Sequence, residues 1–80
     1  MRLTRNIVIY GRQDCIFCDK AKVYLDDLNA EYQYIDITYW TKDERENLKA
    51  KYNVKTVPVI LIDGTMIGGY NELVHQFHLV

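Results

Sequence analysis

The chain's only two cysteines, Cys15 and Cys18, stand three residues apart in the stretch YGRQDCIFCD, Tyr10 to Asp19. No other feature constrains the fold as much, because the pair falls where one hydrophobic pattern ends and another begins. Upstream, Asn6 to Tyr10 (NIVIY) is a continuous β-branched and aromatic run, the pattern of a strand buried on both faces, and Gly11 ends it. Downstream, from Ile16 to Leu28, apolar residues recur at three- and four-residue steps, placing Cys18, Ala21, Leu25 and Leu28 on one face of a helix. The two sulfurs therefore sit at a strand-to-helix junction. Three roles compete for them there: half of a metal site, a structural staple, or a working thiol pair.

The rest of the chain supplies the frame. Asn29 and Ala30 stop the first helix, Asn being able to take a left-handed cap. Tyr32 to Ile37 (YQYIDI) returns to strand character. Thr41 opens TKDE, with Glu44 three residues on, a capping box that starts a second helix running to about Tyr52. Few apolar residues beyond Leu48 and Tyr52 lie on it, so it is expected to be mostly exposed. Val57 to Ile62 (VPVILI) is the most apolar segment and holds the only proline, Pro58. Asp63-Gly64 reads as a two-residue hairpin turn into a short strand at Thr65 to Ile67. Gly68-Gly69 breaks that strand, and a last helix is expected from about Asn71 as N-cap, with Leu73, Val74 and Phe77 on one face. The order β-α-β-α-β-β-α predicts an α/β fold: a four-stranded mixed sheet, its first two strands parallel through a right-handed crossover, flanked by three helices. Residues 1–80 form one expected domain, without repeats or linkers.

Composition excludes several function classes. Ten basic against eleven acidic residues give a formal net charge of −1, without the one-sided positive field of a nucleic-acid or membrane-surface binder. No apolar run approaches the ~20 residues of a membrane span. The run Ile7 to Tyr10 behind the basic start is too short for a secretory signal. The expected compartment is the cytosol, where structural disulfides are rare. A bridge between positions 15 and 18 would also close only a tiny loop, constraining the unfolded chain little. A zinc site needs about four ligands, and only His75 and His78 remain as partners, far along the chain. The working thiol pair is left as the strongest reading. Cys15, at the helix start, meets outward N–H groups and a dipole that favour its thiolate, the nucleophilic form. Cys18, one turn on, falls on the buried face, so Cys15 attacks and Cys18 resolves.

Together, YGRQDCIFCDKA, TVPVILIDG and IGGYNEL resemble the glutaredoxins over nearly the whole chain. The resemblance implies a thioredoxin-like fold and a dithiol oxidoreductase that uses glutathione as reducing cosubstrate, with no tightly bound cofactor. It implies Cys15 as attacking and Cys18 as resolving thiol, and Arg12 as the basic residue near the thiolate and the glycine carboxylate of glutathione. Phe17 replaces the usual tyrosine. Pro58 matches the family's cis-proline, with Val57 pairing its backbone with the bound tripeptide. Lys55, just before Thr56 on the same glutathione-facing segment, either helps hold a glutathione carboxylate or is a plain surface lysine. Gly68, Gly69, Tyr70 and Asn71 match the segment that takes the γ-glutamyl end. Three departures stand out: Ile16 where most members have proline, Asp14 as a negative charge beside Cys15, and Asn71 in place of a common aspartate. Asp14 and the proline-free Cys-x-x-Cys also resemble the redoxins that serve ribonucleotide reductase and draw electrons from thioredoxin reductase. An iron–sulfur carrier using Cys15 and glutathione is the non-enzyme alternative, against which Cys18 speaks. The expected partners are glutathione and disulfide-bearing proteins, ribonucleotide reductase among the plausible clients, with the chain acting as a monomer. Tyr39 and Trp40 line a partner surface or, more simply, wedge on the core. The charges of TKDERENLKAKY read as a solvated helix face.

Overall fold

A computed structural model describes residues 6–76; Phe77 and His78, named above, lie outside the described residues. The elements follow the expected order: β1 (Ile7–Gly11), α1 (Ile16–Asp27), β2 (Gln33–Asp36), α2 (Lys42–Tyr52), β3 (Val59–Ile62), β4 (Thr65–Gly68) and α3 (Tyr70–Gln76). The strands form one sheet in the order β2-β1-β3-β4. β1 runs parallel to β2, with Ile9 opposite Tyr34, and antiparallel to β3, with Ile9 opposite Ile60. This is the thioredoxin-like α/β arrangement, three helices around a mixed four-stranded sheet.

The core follows from strand alternation. Ile7 and Ile9 of β1 and Ile60 and Ile62 of β3 point to the same face, where they meet Ala21 and Leu25 of α1 and Leu73 of α3. Leu25 and Leu73 are fully buried, each worth about 1.5–3 kcal/mol relative to exposure. The other face departs from expectation. Val8 and Tyr10 are half-buried rather than covered, because the ring of Trp40 leans on Tyr10 edge-on, centroids 6.1 Å apart, without sealing that face. Trp40 is thereby the wedge the sequence allowed, while Tyr39 stands 85% exposed.

Local signals set the ends of the elements. Thr41 Oγ1 accepts the Glu44 N–H at 3.1 Å and Glu44 Oε1 accepts the Thr41 N–H at 3.0 Å, the reciprocal capping box. Leu28 is the C-cap of α1 and Asn29, next along the chain, turns it away in the left-handed region (φ 55°), while Asp63 and Gly64 (φ 53° and 84°) make the hairpin turn. β3 begins at Val59, two residues later than expected, because Pro58 has no N–H to give to the ladder; the Val57–Pro58 peptide is cis. α3 begins at Tyr70, not after an Asn71 cap. Glu72 reaches back to accept the Gly69 N–H at 2.7 Å, so Gly69 holds the helix start and Asn71 is the second helical residue. Among the described residues, no helix is long and apolar enough to cross a membrane.

Candidate active site

The end of β1 carries the chain into the site. A carboxylate at the end of β2 holds the connecting loop there. Thr38 donates both its N–H (2.9 Å) and its hydroxyl to Asp36 Oδ1, and Gln13 Nε2 donates to Asp36 Oδ2 at 3.3 Å. Thr38 Oγ1 in turn accepts the Gln13 N–H at 2.8 Å. The Thr38 hydroxyl and N–H, with help from Gln13, hold the Asp36 carboxyl below its ordinary pKa. Asp14 then adopts the left-handed conformation (φ 55°), which Asp tolerates better than most residues. That turn delivers Cys15 to the start of α1.

Cys15 is the N-cap of α1. Its backbone is extended, its carbonyl accepts the Asp19 N–H at 3.0 Å, and its Sγ accepts the Cys18 N–H at 3.2 Å. The sulfur thus occupies the place that a Ser or Asp oxygen takes in an ordinary cap. Cys18 faces inward with no exposure, beside Ala21 and Leu25 on the buried stripe of the helix. The two sulfurs are joined as a disulfide, their Cα atoms 5.2 Å apart. Ile16, the first helical residue, is 72% exposed, at a position where a backbone donor has no intrahelical acceptor and proline is welcome.

Cys15 opens on a hollow of about 290 Å³ that also includes Arg12, Asp14, Arg45, Lys49 and Lys55. Through Lys55, Thr56 and Val57 this hollow joins a cleft of about 380 Å³. Phe17, Pro58, Gly68, Gly69, Tyr70 and Asn71 line that cleft. The structure therefore brings together the residues that the resemblance offers for glutathione: Arg12 beside Cys15, and Phe17, Lys55, Thr56, Val57, Pro58, Gly68, Gly69, Tyr70 and Asn71 along one groove. Phe17 packs against Tyr70 with ring centroids 6.0 Å apart, and Lys20 Nζ lies 5.3 Å from the Phe17 ring. Gly68 is required twice over: its φ is 128°, and a Cβ there would meet Glu72 Cγ at 2.5 Å. The Gly69 N–H is already taken by Glu72, which leaves the N–H groups of Tyr70 and Asn71, in the first turn of α3, without intrahelical acceptors.

Sequence reasoning missed three contributors. Arg45 and Lys49 of α2 flank Cys15, although their segment reads as a solvated face. Their four-residue spacing, with Lys42 three residues earlier, places all three on one side of the helix, which was the available signal. Glu72, the clamp on Gly69, is the third; it stands three residues after Gly69, as the Glu of a capping box does. His75 is exposed on α3, and among the described residues no group of three or more His, Cys, Asp or Glu side chains could hold a metal ion.

Residues 7–67 match the glutaredoxin family. Glutaredoxin 1 of Rickettsia felis is 38% identical over 72 residues, 89% of this chain and 71% of that protein. The crystal structure of glutaredoxin 1 from Francisella tularensis, complexed with cacodylate, superposes with a TM-score of 0.78 at 25% identity, covering 91% of this chain and 92% of that one. A buckwheat glutaredoxin–glutathione complex gives a TM-score of 0.78 at 26% identity, over 91% of this chain and 68% of its own. A thiol pair at a strand-to-helix junction, on this sheet and with these relatives, leaves one conclusion: the chain belongs to the glutaredoxin family and is a thiol–disulfide oxidoreductase of the dithiol type.

Proposed function

We propose that the protein is a glutathione-dependent reductant of protein disulfides and glutathione mixed disulfides in the cytosol, with Cys15 attacking and Cys18 resolving. One observation carries the assignment of roles. Of the two sulfurs, that of Cys15 opens on the cleft, while Cys18 has no exposure. A substrate disulfide reaches the first and not the second.

The steps balance as two-electron exchanges. The Cys15 thiolate attacks one sulfur of a protein disulfide, and the other sulfur leaves as a thiolate. Cys18, already placed against Cys15, then attacks the Cys15 sulfur; the protein leaves with both thiols and the enzyme holds the Cys15–Cys18 disulfide. A glutathione thiolate opens that disulfide at Cys15 and frees Cys18, and a second glutathione removes the first as glutathione disulfide. With a glutathione mixed disulfide, Cys15 alone suffices: it takes the glutathionyl sulfur, the partner thiolate departs, and a second glutathione regenerates Cys15.

The cleft chemistry supports glutathione as the ligand. Arg12 and Lys55 are exposed cations for its glycine carboxylate, and Val57 offers backbone N–H and C=O beside Pro58. The 68–71 segment stands at the far end for the γ-glutamyl group. The buckwheat relative crystallised with glutathione supports the same reading. The deciding experiment offers the oxidised protein NADPH with either glutathione plus glutathione reductase or thioredoxin reductase. Turnover with the first pair only is expected; turnover with thioredoxin reductase alone would overturn glutathione as the donor. Asn71→Asp sharpens the test, because a charged acceptor for the ligand's ammonium forms a bond about twice as strong as a neutral one. The apparent KM for glutathione is expected to fall several-fold, and the gain to shrink with added salt.

A further inference from the structure

Cys15 stands where two clefts of opposite character meet. On one side lies the groove of Phe17, Pro58 and Gly68–Asn71. On the other lies a larger cleft of about 630 Å³ walled by Arg12, Lys42, Arg45 and Lys49, with Asp14 and Glu46 as its acidic lining residues and the Asp36 carboxylate engaged by Gln13 and Thr38 behind its wall. The hollow that contains Cys15 shares Arg12, Arg45 and Lys49 with this second cleft, so the two are continuous past the sulfur. Its positive charge is available. Among the described residues, Arg12, Lys42 and Lys49 form no ion pair within 4.0 Å. Arg45 is fixed by donating to the Thr38 and Trp40 carbonyls, at 3.5 and 3.0 Å, which orient the guanidinium without neutralising it. Tyr39, 85% exposed, stands at the rim.

The chemistry requires two surfaces. Attack at sulfur is in line, so the half of a disulfide that stays on the central sulfur and the half that leaves point apart. We propose that the cationic cleft docks the protein half of the substrate and selects segments with acidic side chains flanking the disulfide cysteine, with Tyr39 as an apolar contact. The assignment of the departing half to this cleft rests on the reading that glutathione occupies the other. With Arg12 given to the glutathione carboxylate, Lys42, Arg45 and Lys49 still outnumber the lining carboxylates Asp14 and Glu46, a field complementary to Asp and Glu in a protein whose overall charge is slightly negative.

The test uses three synthetic peptides with one central cysteine, glutathionylated, and flanked by Glu, Ser or Lys. The Cys15 thiolate takes the glutathionyl sulfur and releases the peptide thiolate. Rates are read as single turnovers of the pre-reduced protein, which need no glutathione reductant, and as multiple turnovers with glutathione. At low salt the Glu peptide is expected to react about ten-fold faster than the Lys peptide, with the Ser peptide between, and 0.5 M salt should erase most of the spread (on the order of a three-fold residue). Lys42→Glu is the informative variant. It touches only the cationic cleft, and a glutamate in the first turn of α2 suits the helix dipole, so the fold is retained. It is expected to slow the Glu peptide about three- to ten-fold and leave the mixed disulfide of 2-mercaptoethanol and glutathione unchanged. Tyr39→Ser should slow all three peptides and spare the same small substrate. Peptide rates within two-fold of one another would overturn the proposal. So would a Lys42→Glu variant that raises the KM for glutathione without changing the peptide ranking, which would give the cleft to a second glutathione. Failure of glutathione as reductant would silence the multiple turnovers alone and leave the single-turnover ranking to decide.

Discussion

α1 and α2 begin with the same device and use it differently. In each, the N-cap side chain accepts the N–H of the third helical residue: Cys15 Sγ from Cys18, Thr41 Oγ1 from Glu44. In each, the third residue also reaches back to the cap. Glu44 does so with a hydrogen bond to the Thr41 N–H, Cys18 with a covalent bond to the Cys15 sulfur. The anchoring of the two helices differs in the opposite sense. α1 buries Cys18, Ala21 and Leu25, whereas α2 buries only Leu48. A helix held by its packed face can give its cap to chemistry. A helix that buries one side chain relies on its cap for stability.

The largest effects break the comparison at α1. Cys15→Ser is expected to remove all exchange activity, roughly a thousand-fold or more, while the protein stays folded, because serine is a preferred N-cap and keeps the bond from the Cys18 N–H. Cys18→Ser should do the reverse on both counts. It keeps reduction of glutathione mixed disulfides and loses reduction of protein disulfides, but places a hydroxyl where there is no exposure, costing about 1–3 kcal/mol. Activity assays with both substrate types, alongside thermal melts of the reduced proteins, check the pair. A dead Cys18 variant and a live Cys15 variant would reverse the assigned roles.

The next effect breaks the comparison at α2. Thr41→Ala leaves the Glu44 N–H without its cap and is expected to cost about 1 kcal/mol, or roughly 4–8 °C in Tm for a domain of this size. Reduction of the small mixed disulfide of 2-mercaptoethanol and glutathione should be untouched, since Thr41 lines neither cleft. Activity lost in proportion to stability would mean that α2 positions the site rather than merely walling it.

The two caps also show what a sequence discloses. TKDE and CIFC are local patterns, with every partner within three residues, and both were legible along with the Asp63-Gly64 turn and the element order. The cleft of Phe17, Pro58 and Gly69 was legible only because its pieces carry family motifs; nothing in spacing brings those residues together. Three features were not legible. The start of α3 was placed at Asn71, a good cap by type, because the reach of Glu72 to Gly69 depends on backbone geometry that composition does not encode. The second face of β1 stayed half-open, since its cover is a loop tryptophan thirty positions away from Tyr10. Arg45 and Lys49 looked like solvent-facing charge because a helix face has no meaning until the tertiary fold sets what it faces.

A smaller effect sharpens the electrostatics of the reactive cap. Reduced Cys15 is expected to titrate below the free thiol value of ~8.5, since the helix start and the cations around its hollow favour the thiolate. Asp14 opposes them from the adjacent position. Asp14→Asn keeps a residue that tolerates φ 55° and removes the charge, so the Cys15 pKa should fall further. The rate of iodoacetamide alkylation against pH reads both; an unshifted Cys15 in the native protein would remove the argument from its cap position.

The smallest effect separates the caps by what undoes them. Glu44 is held below its ordinary pKa by its bonds to the Thr41 backbone N–H and side chain. A depressed folded pKa means that the unfolded chain binds the proton more readily, so stability rises with pH through this window. The contribution is fully present above the unfolded carboxyl value of 4.5 and disappears as pH falls through the folded one. Asp36 titrates in the same direction through its bonds to Thr38, so the wild-type acid limb contains both groups. The difference between wild type and Glu44→Gln isolates the cap: the variant is less stable at pH 7, and the gap narrows as the pH drops from about 5 toward 3. Reductant should leave that gap unchanged, because the acid-sensitive return at α2 is a hydrogen bond. At α1 the return from Cys18 is a disulfide, so reductant opens it and acid does not. Urea titrations of both proteins at several pH values, with and without dithiothreitol, measure the two sensitivities side by side. A gap that moved with reductant would mean that the two caps are coupled through the sheet between their helices rather than independent.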